Sequence, residues 1–156
     1  VKEMMDRGLL RLVPRHLRRS EVGVFFVRKK NGTQRIIVDT RVCNLNFIPP
    51  PNTRLPTPGS ISQIEVQHEG GMHMCHGDIE NAFYGMKIPD ELGLYFGLPN
   101  VSRGLLIEAG VRPDILPDGF SLTPCFTVLP MGWAWSLAIC QSVLNTAIKD
   151  SGFFGR

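Results

Sequence analysis

The sequence predicts an α+β fold in which an antiparallel β-hairpin precedes a sheet packed on helices. Two segments rich in β-branched and aromatic residues, 22–27 and 35–40, flank the dipeptide Asn31-Gly32, which is typical of hairpin turns. Over residues 135–149, apolar side chains recur at three- and four-residue intervals, and this periodicity predicts a helix with one buried face. Strands followed by a long helix favour the α+β class.

The hairpin is expected to carry a basic tip. Arg28, Lys29 and Lys30 precede the turn, and Arg35 follows it. A hairpin gathers these cations at one end, where Lys supplies point charges and Arg a bidentate fork for phosphate oxygens. The alternative is a charged edge that discourages strand aggregation. Before the hairpin, residues 1–19 mix apolar and basic side chains, which predicts a short amphipathic helix followed by an extended arm.

A proline-rich stretch divides the chain. Residues 48–60 contain five prolines, which exclude a helix and most strand pairing. We therefore expect a stiff extended connector and a boundary between two subdomains, 1–60 and 61–156.

Beyond the connector, the pattern predicts a strand over residues 72–79 that ends in a turn. A short helical segment is expected around residues 81–83, and further strands of the same sheet over 94–97 and 125–129. Residues 104–119 are expected to form a protruding hairpin or loop.

Charge is distributed unevenly between the two segments. Residues 1–60 carry 12 Lys and Arg against 4 Asp and Glu, a net of +8, whereas residues 61–156 carry 5 against 10, a net of −5. Such polarity indicates a polyanionic partner, and the alternative is an ordinary solvated basic face. The chain contains no apolar run of the ~20 residues that a membrane helix needs, so we expect no membrane partner. The four cysteines are far apart in sequence, so we expect reduced thiols and an intracellular location.

Asp78 is the main candidate for chemistry, because it ends a predicted strand where a carboxylate can meet solvent and a divalent cation. Mg²⁺ prefers hard oxygen ligands, commonly one or two carboxylates with water and phosphate oxygens. The alternative is that Asp78 caps a helix. If Asp78 holds a metal-bound nucleotide, Phe83 on the following turn is placed to pack beneath its sugar, where a bulky aromatic ring would clash with a ribose 2′-hydroxyl. The alternative is that Phe83 and Tyr84 fill the core beside the sheet.

Three further features have weaker implications. Gly132 would let backbone approach a ligand closely, and Ser136 is placed to cap the terminal helix, although a plain strand-to-helix turn explains both. Asp39 and Arg41 are two residues apart, so we expect a structural ion pair on one strand face. A zinc site is not favoured, because strand alternation separates the nearby candidate ligands, which are His68, His73, Cys75 and His76.

Three segments across about residues 20–146, taken in order, resemble the reverse transcriptases of retroviruses and LTR retrotransposons. Residues 24–46 are similar to the family's fingers hairpin, KKxGxxRxxxDxRxLN. The stretch His76-Gly-Asp-Ile-Glu-Asn-Ala-Phe-Tyr84 resembles the first palm motif, and residues 129–141 resemble the second, LPQGWxxSPxxFQ.

This resemblance implies a reverse-transcriptase-like α+β polymerase fold, with a fingers-like segment at 1–60 and a partial palm at 61–156. It implies that Asp78 is catalytic and binds Mg²⁺, with Mn²⁺ as an alternative, and that Ile79 offers its backbone oxygen to the metal. The incoming dNTP would be bound by Lys30 or Lys29, Arg35, Asn81, Ala82, Phe83, Met131 and Gly132, with Phe83 as the sugar gate.

The chain departs from the family at several positions. Met131 stands where the second motif has Gln, Leu137 where it has Pro, and Cys140 where it has Phe. No Asp-Asp pair occurs in the 156 residues, so the YxDD-type turn of the family is absent from them. Two-metal phosphoryl transfer needs these carboxylates. We therefore expect that this chain alone does not extend a primer.

The sequence starts at Val1 and stops at Arg156, 15 residues after Gln141, so we expect a fragment of a retroelement polymerase. The intact parent would copy an RNA or DNA template from a primer with dNTPs, using downstream palm, thumb and RNase H segments. The alternative is a noncatalytic nucleic-acid-binding relic of such an element, and a third reading is an α+β domain with no nucleic-acid role.

Overall fold

Two antiparallel sheets and six α-helices make up residues 1–65, 76–118 and 121–152, the part of the chain that the computed structural model describes. The strands are β1 (Leu10–Pro14), β2 (Gly23–Arg28), β3 (Gln34–Asp39), β4 (Val101–Ser102) and β5 (Ser121–Phe126). The α-helices are α1 (Lys2–Asp6), α2 (Arg41–Asn44), α3 (Pro58–Ser62), α4 (Asp90–Gly93), α5 (Arg103–Glu108) and α6 (Ala134–Asp150). Short 3₁₀ helices cover Arg15–Leu17, Ala82–Gly85 and Pro113–Ile115. The α+β class is confirmed.

Strands β2 and β3 form the hairpin that the sequence predicts. They pair in register from Gly23 opposite Asp39 to Arg28 opposite Gln34. The turn closes through a hydrogen bond from the Lys29 N–H to the Thr33 carbonyl at 2.7 Å. Because the φ of Gly32 is 82°, in the left-handed region, the turn needs the glycine of Asn31-Gly32.

The second sheet has the strand order β1-β5-β4, so β5 is its central strand. The pairing of β1 with β5 runs from Leu10 opposite Phe126 to Pro14 opposite Leu122. The predicted N-terminal helix is confirmed as α1, whereas the segment expected to be an extended arm is a strand of this sheet. The predicted arm is therefore held in place by its backbone pairing with β5.

The strands predicted after the connector differ from those in the structure. Residues 94–97 form a turn after α4, and only Gly97 of this stretch makes isolated bridges, to Glu21 and Cys125. The apolar side chains there are buried by aromatic packing instead of strand pairing, because Phe96 stacks among other rings of the core. In place of the strand predicted at 125–129, the structure has β5, which begins four residues before that range and ends at Phe126. Of the strand predicted over 72–79, residues 72–75 lie outside the described residues, and 76–79 are not in a strand.

Residues 104–118 are not a protruding hairpin or loop, so that prediction is wrong. They contain most of α5 and the 3₁₀ helix Pro113–Ile115. The Ser102 hydroxyl begins α5 by accepting a hydrogen bond from the Leu105 N–H at 3.2 Å. Four buried residues give the segment a second core with β5: Leu106, Val111, Leu116 and Leu122.

The Arg103 guanidinium holds the end of this segment. It donates hydrogen bonds to the carbonyl oxygens of Pro117 at 2.7 Å and Pro113 at 3.0 Å. Charged donors form stronger hydrogen bonds than neutral ones, so Arg103 fixes the return of the chain toward β5.

The main core joins residues from before and after the proline-rich connector. Its buried members are Leu10, Val22, Val38, Cys43, Phe96, Leu98, Phe126, Val128, Leu129 and Trp133. Within it, the Phe47 ring lies 5.1 Å from the Tyr95 ring and 5.2 Å from the Trp133 ring, centroid to centroid. The division at residue 60 into fingers-like and palm-like segments stays a prediction.

The connector is exposed and without regular structure from Pro49 to Pro56, as expected. It ends sooner than predicted, because α3 begins at Pro58. Proline is tolerated at the first helical position, and Thr57 and Ser60 form a capping box there. The predicted terminal helix is confirmed as α6, in which Ser136 and Cys140 are buried.

The described cysteines are buried free thiols: Cys43, Cys125 and Cys140. Burial raises the pKa of Cys43 and of Cys125 to about 11, so both are protonated at neutral pH. Within the described part of the chain, no helix has the length and apolar character needed to cross a membrane.

Gly93 and Gly104 provide a matched test of this packing, because both are helical. A Cβ at Gly93 would lie 2.5 Å from the Phe126 carbonyl oxygen, whereas one at Gly104 would meet nothing within 4 Å. We expect Gly93→Ala to lower the free energy of unfolding by about 1–3 kcal/mol. Gly104→Ala should raise it by about 0.5 kcal/mol, since alanine favours helix. Urea unfolding measures both, and equal effects would contradict the packing of α4 on β5.

Candidate nucleotide-binding site

The end of the hairpin carries an exposed cation cluster, which we call the tip cluster: Arg28, Lys29, Lys30 and Arg35. None of the four has a carboxylate within salt-bridge distance among the described residues. Six other basic residues of the chain do have such a partner: Lys2, Arg7, Arg11, Arg18, Arg41 and Arg112. The positive charge of the tip cluster is therefore available to an external anion.

The two faces of the hairpin meet different parts of the molecule. Val27 is opposite Arg35 in the register, so their side chains share a face with Phe25 and Ile37. This face borders a cleft of about 390 Å³ that Gly132 also lines. Predicted site residues Arg35 and Gly132 therefore lie on the same side of the hairpin.

The opposite face borders a second cleft. It has a volume of about 530 Å³ and is lined by Gln34 and Ile36 of β3 together with Asn81 and Tyr84. Strand alternation places the Arg35 side chain on the other face. The structure thus separates Asn81 from Arg35, although the resemblance implies that both contact one nucleotide.

Asp78 is exposed and lies in a segment without helix or strand, at residues 76–79. It does not cap a helix, because the next helix begins at Ala82 with Asn81 as its N-cap. The helix-cap alternative is therefore wrong. Across the described ranges, no side chain forms a hydrogen bond or ion pair with the Asp78 carboxylate, and Ile79 is 57% exposed.

A single carboxylate does not provide enough protein ligands to hold a metal ion by itself. No cluster of three or more His, Cys, Asp or Glu side chains suited to a metal ion occurs in the portion of the chain that is described. Three of the four residues weighed for zinc, His68, His73 and Cys75, lie outside that portion. A Mg²⁺ ion at Asp78 would have to complete its coordination with water and phosphate oxygens, as it does in many nucleotide sites.

Phe83 and Tyr84 are half-buried and pack against the main core. The alternative that they fill the core beside the sheet is therefore shown in part, because both side chains pack against the core but neither is fully buried. Phe83 follows Asn81, whose φ of 53° is left-handed, and that turn sets where the 3₁₀ helix begins. The exposed remainder of the Phe83 ring is the part left to meet a sugar, so its role as a gate stays a prediction.

The Leu129–Ser136 turn binds the hairpin to the body of the protein. A Cβ at Gly132, whose φ is 107°, would lie 2.9 Å from the Val38 carbonyl oxygen and 3.2 Å from the Thr40 hydroxyl. The glycine is therefore required for close contact with the end of β3, which is a structural reason independent of any ligand. Met131, beside it, is 50% exposed.

Asn44 and Trp135 complete this contact, which we call the hairpin junction. The Asn44 side-chain oxygen accepts a hydrogen bond from the Ala134 N–H at 3.1 Å, at the start of α6. The Trp135 indole N–H donates to the Ile48 carbonyl oxygen at 2.7 Å. Neither role was foreseen, because Asn44 and Ala134 are 90 residues apart in sequence. The only sequence signal was an asparagine inside a motif.

Ser136 does not cap α6, contrary to the expectation. The N-cap residue is Trp133, and the buried Ser136 hydroxyl donates instead to the Pro130 carbonyl oxygen at 2.8 Å. The hydroxyl therefore tightens the turn that precedes the helix.

Asp39 and Arg41 form the expected ion pair, although not on a strand face, because Arg41 begins α2. The Arg41 Nε donates to the Asp39 carboxylate at 2.9 Å, and the Arg41 backbone N–H donates at 3.1 Å. These hydrogen bonds from Arg41 lower the pKa of Asp39 to about 2. Any stabilisation from this pair is present above pH 3.8 and is lost as the pH falls toward 2.

Comparison with known protein families and with curated proteins finds no match to this chain.

Replacing Arg41 tests the cause of the Asp39 shift. We expect Arg41→Ala to raise the pKa of Asp39 toward 3.8, its ordinary value, while the backbone N–H of residue 41 keeps part of the depression. An NMR titration of the side-chain carboxyl carbon between pH 1.5 and about 6 measures this. Arg112→Ala is the control, because its partner is Asp114. An unchanged Asp39 pKa in Arg41→Ala would show that Arg41 is not the cause.

Proposed function

We propose that this chain is the fingers and front palm of an RNA-directed DNA polymerase from a retroelement. The intact enzyme would join a primer 3′-hydroxyl to the α-phosphate of a dNTP opposite an RNA or DNA template, and pyrophosphate would leave. The observation that carries the proposal is the tip cluster, four exposed cations without an anionic partner among the described residues.

In this proposal, the tip cluster binds the triphosphate. Lys29 and Lys30 supply two mobile point charges, and Arg35 supplies a planar fork that fits two phosphate oxygens at once. Arg35 lies on the face of the hairpin that borders the Gly132 cleft, so the nucleotide would sit on that side. Met131 replaces a side-chain amide with a thioether there, so it contributes packing in place of hydrogen bonds.

Asp78 would hold Mg²⁺ together with the backbone oxygen of Ile79 and the phosphate oxygens of the nucleotide. The Asp78 carboxylate fits this role because it is exposed. Among the described residues it makes no hydrogen bond that would have to break before it bound a cation. The bound ion would neutralise charge on the triphosphate. In this proposal the Phe83 ring lies beneath the nucleotide sugar, and its buried part packs against the main core.

Asn81 fits this arrangement less well. Asn81 lines the cleft on the Gln34 face of the hairpin, away from the Arg35 face. A single nucleotide would reach both only by spanning the end of the hairpin. The proposal therefore depends on Lys29, Lys30, Arg35 and Asp78.

A second candidate function is noncatalytic binding of nucleic acid by a relic of such an element. It is favoured by one feature of the sequence: Met131 replaces the glutamine of the second motif. The tip cluster suffices for this function, because phosphate binding by Lys and Arg needs no metal.

Paramagnetic NMR separates the two candidates. With dTTP present and Mn²⁺ added in substoichiometric amounts, the polymerase proposal predicts broadening of the amide signals of residues 76–80 and of the tip cluster. The broadening arises because the ion would be held by Asp78 and the triphosphate together. Asp78→Asn should abolish the effect at 76–80, whereas Glu80→Gln, which alters a neighbouring exposed acid, should leave it intact.

The relic predicts a different result. A single-stranded oligonucleotide would bind with an affinity that falls with salt, by a log–log slope of about −0.7 for each phosphate contact. Replacement of Lys29, Lys30 and Arg35 by Ala would make that slope less negative by about 2, because three phosphate contacts are lost. Residues 76–80 would show no Mn²⁺ broadening. Replacing Lys2, Arg7 and Arg112, which have acidic partners, controls for net charge. Absence of both nucleotide and oligonucleotide binding at low salt would contradict both candidates.

A further inference from the structure

The proline-rich connector contains a threonine that lies between two prolines. Thr57 follows Pro56 and precedes Pro58. A residue before proline is restricted to extended backbone, and this applies to both Leu55 and Thr57. The φ and ψ of Thr57 are −111° and 159°, as that restriction requires. Covalent geometry therefore holds residues 55–57 extended without help from a strand partner.

This stretch is open to a second protein. Leu55, Pro56 and Thr57 are exposed, and no backbone–backbone hydrogen bond among the described residues involves residues 49–56. The Thr57 hydroxyl caps α3, where it accepts a hydrogen bond from the Ser60 N–H at 3.1 Å. Because a helix as short as α3 has little stability of its own, this exposed cap does not prevent the hydroxyl from reaching a partner.

The same Thr-Pro dipeptide occurs once more in the chain, in a buried position. Thr123 precedes Pro124 in β5, the central strand of its sheet. Its side chain is 0% exposed, and its hydroxyl donates to the Asn100 side-chain oxygen at 2.5 Å. No serine precedes a proline in the sequence. Of the two hydroxyls that come before a proline, the fold therefore exposes Thr57 and encloses Thr123.

A hydroxyl before a proline is what one class of protein kinase accepts. A protein kinase aligns a substrate hydroxyl with the γ-phosphate of ATP, and a carboxylate of the kinase accepts the hydroxyl proton. Proline has no N–H, so it fits a kinase pocket that lacks an acceptor, whereas any other residue would bury an unpaired N–H there. Thr57 and Pro58 supply the hydroxyl and the missing donor on one exposed, extended segment.

We propose that Thr57 is a phosphorylation site for a proline-directed protein kinase. The Thr57 hydroxyl oxygen forms a bond to the γ-phosphorus of ATP, and the bond from that phosphorus to the β–γ bridging oxygen breaks. ADP leaves with the bridging oxygen, and the hydroxyl proton passes to the kinase carboxylate. The connector contains no residue of the tip cluster and does not include Asp78, so this inference does not rest on the proposed function.

Phosphate transfer from ATP by a purified kinase of the mitogen-activated class tests the proposal on the folded 156-residue chain. Mass spectrometry should find phosphate on Thr57. Thr53 is a matched control, because it lies in the same connector but precedes Arg54, and it should stay unmodified. Thr57→Ala should abolish incorporation, and Thr57→Ser should retain it. Pro58→Ala should slow it by about tenfold or more, because alanine brings an N–H that the kinase leaves unpaired.

Two synthetic peptides separate the effect of the fold from that of the sequence. They cover residues 51–63 and 117–129, so each presents its Thr-Pro dipeptide outside the fold. Both should be phosphorylated, whereas Thr123 in the folded chain should not. Modification of Thr123 as fast as Thr57, or an unmodified Thr57 in a chain whose 51–63 peptide is phosphorylated, would overturn the proposal. Incorporation that Pro58→Ala leaves unchanged, or no phosphorylation of either peptide, would overturn the assigned class of kinase.

Discussion

The contact between Gly132 and the end of β3 is the constraint on which the position of the hairpin depends. An isolated two-stranded hairpin is only marginally stable in water, so it needs support from the body of the protein. The hairpin junction gives that support, because the backbone at Gly132 approaches the Val38 carbonyl more closely than any side chain would allow. Two hydrogen bonds fix the same elements, one accepted by the Asn44 side-chain oxygen and one donated by the Trp135 indole, and each contributes about 1 kcal/mol.

The junction also determines where charge is presented. The far end of the hairpin carries the tip cluster, and none of its four cations has a carboxylate within salt-bridge distance among the described residues. The ion pair between Asp39 and Arg41 neutralises charge at the base of the hairpin, whereas the four cations at its end are unpaired within the described part of the chain. The proposed phosphate-binding function follows from this division, and the separation of Arg35 from Asn81 onto two faces limits which residues share one ligand.

Local chemistry explains which elements the sequence predicted. The hairpin was predictable because Asn31-Gly32 specifies its turn, and α6 because its apolar spacing is helical. The segment 94–97 was not, since its apolar residues are buried by aromatic packing with distant rings. Helix α5 was missed because its signal was a single serine cap at Ser102. Site residues were found through motif resemblance, but the roles of Gly132 and Asn44 depend on tertiary contacts across about ninety residues.

Hydrogen exchange in Gly132→Ala tests the junction most directly, with Gly152→Ala as the control. Both glycines have positive φ, but a Cβ at Gly152 would meet nothing within 4 Å. If the junction holds the hairpin, Gly132→Ala will speed exchange of the β2 and β3 amides by roughly tenfold or more and leave the β1–β5 amides unchanged. Unchanged exchange in the hairpin, or an equal increase in both sheets, would contradict this account.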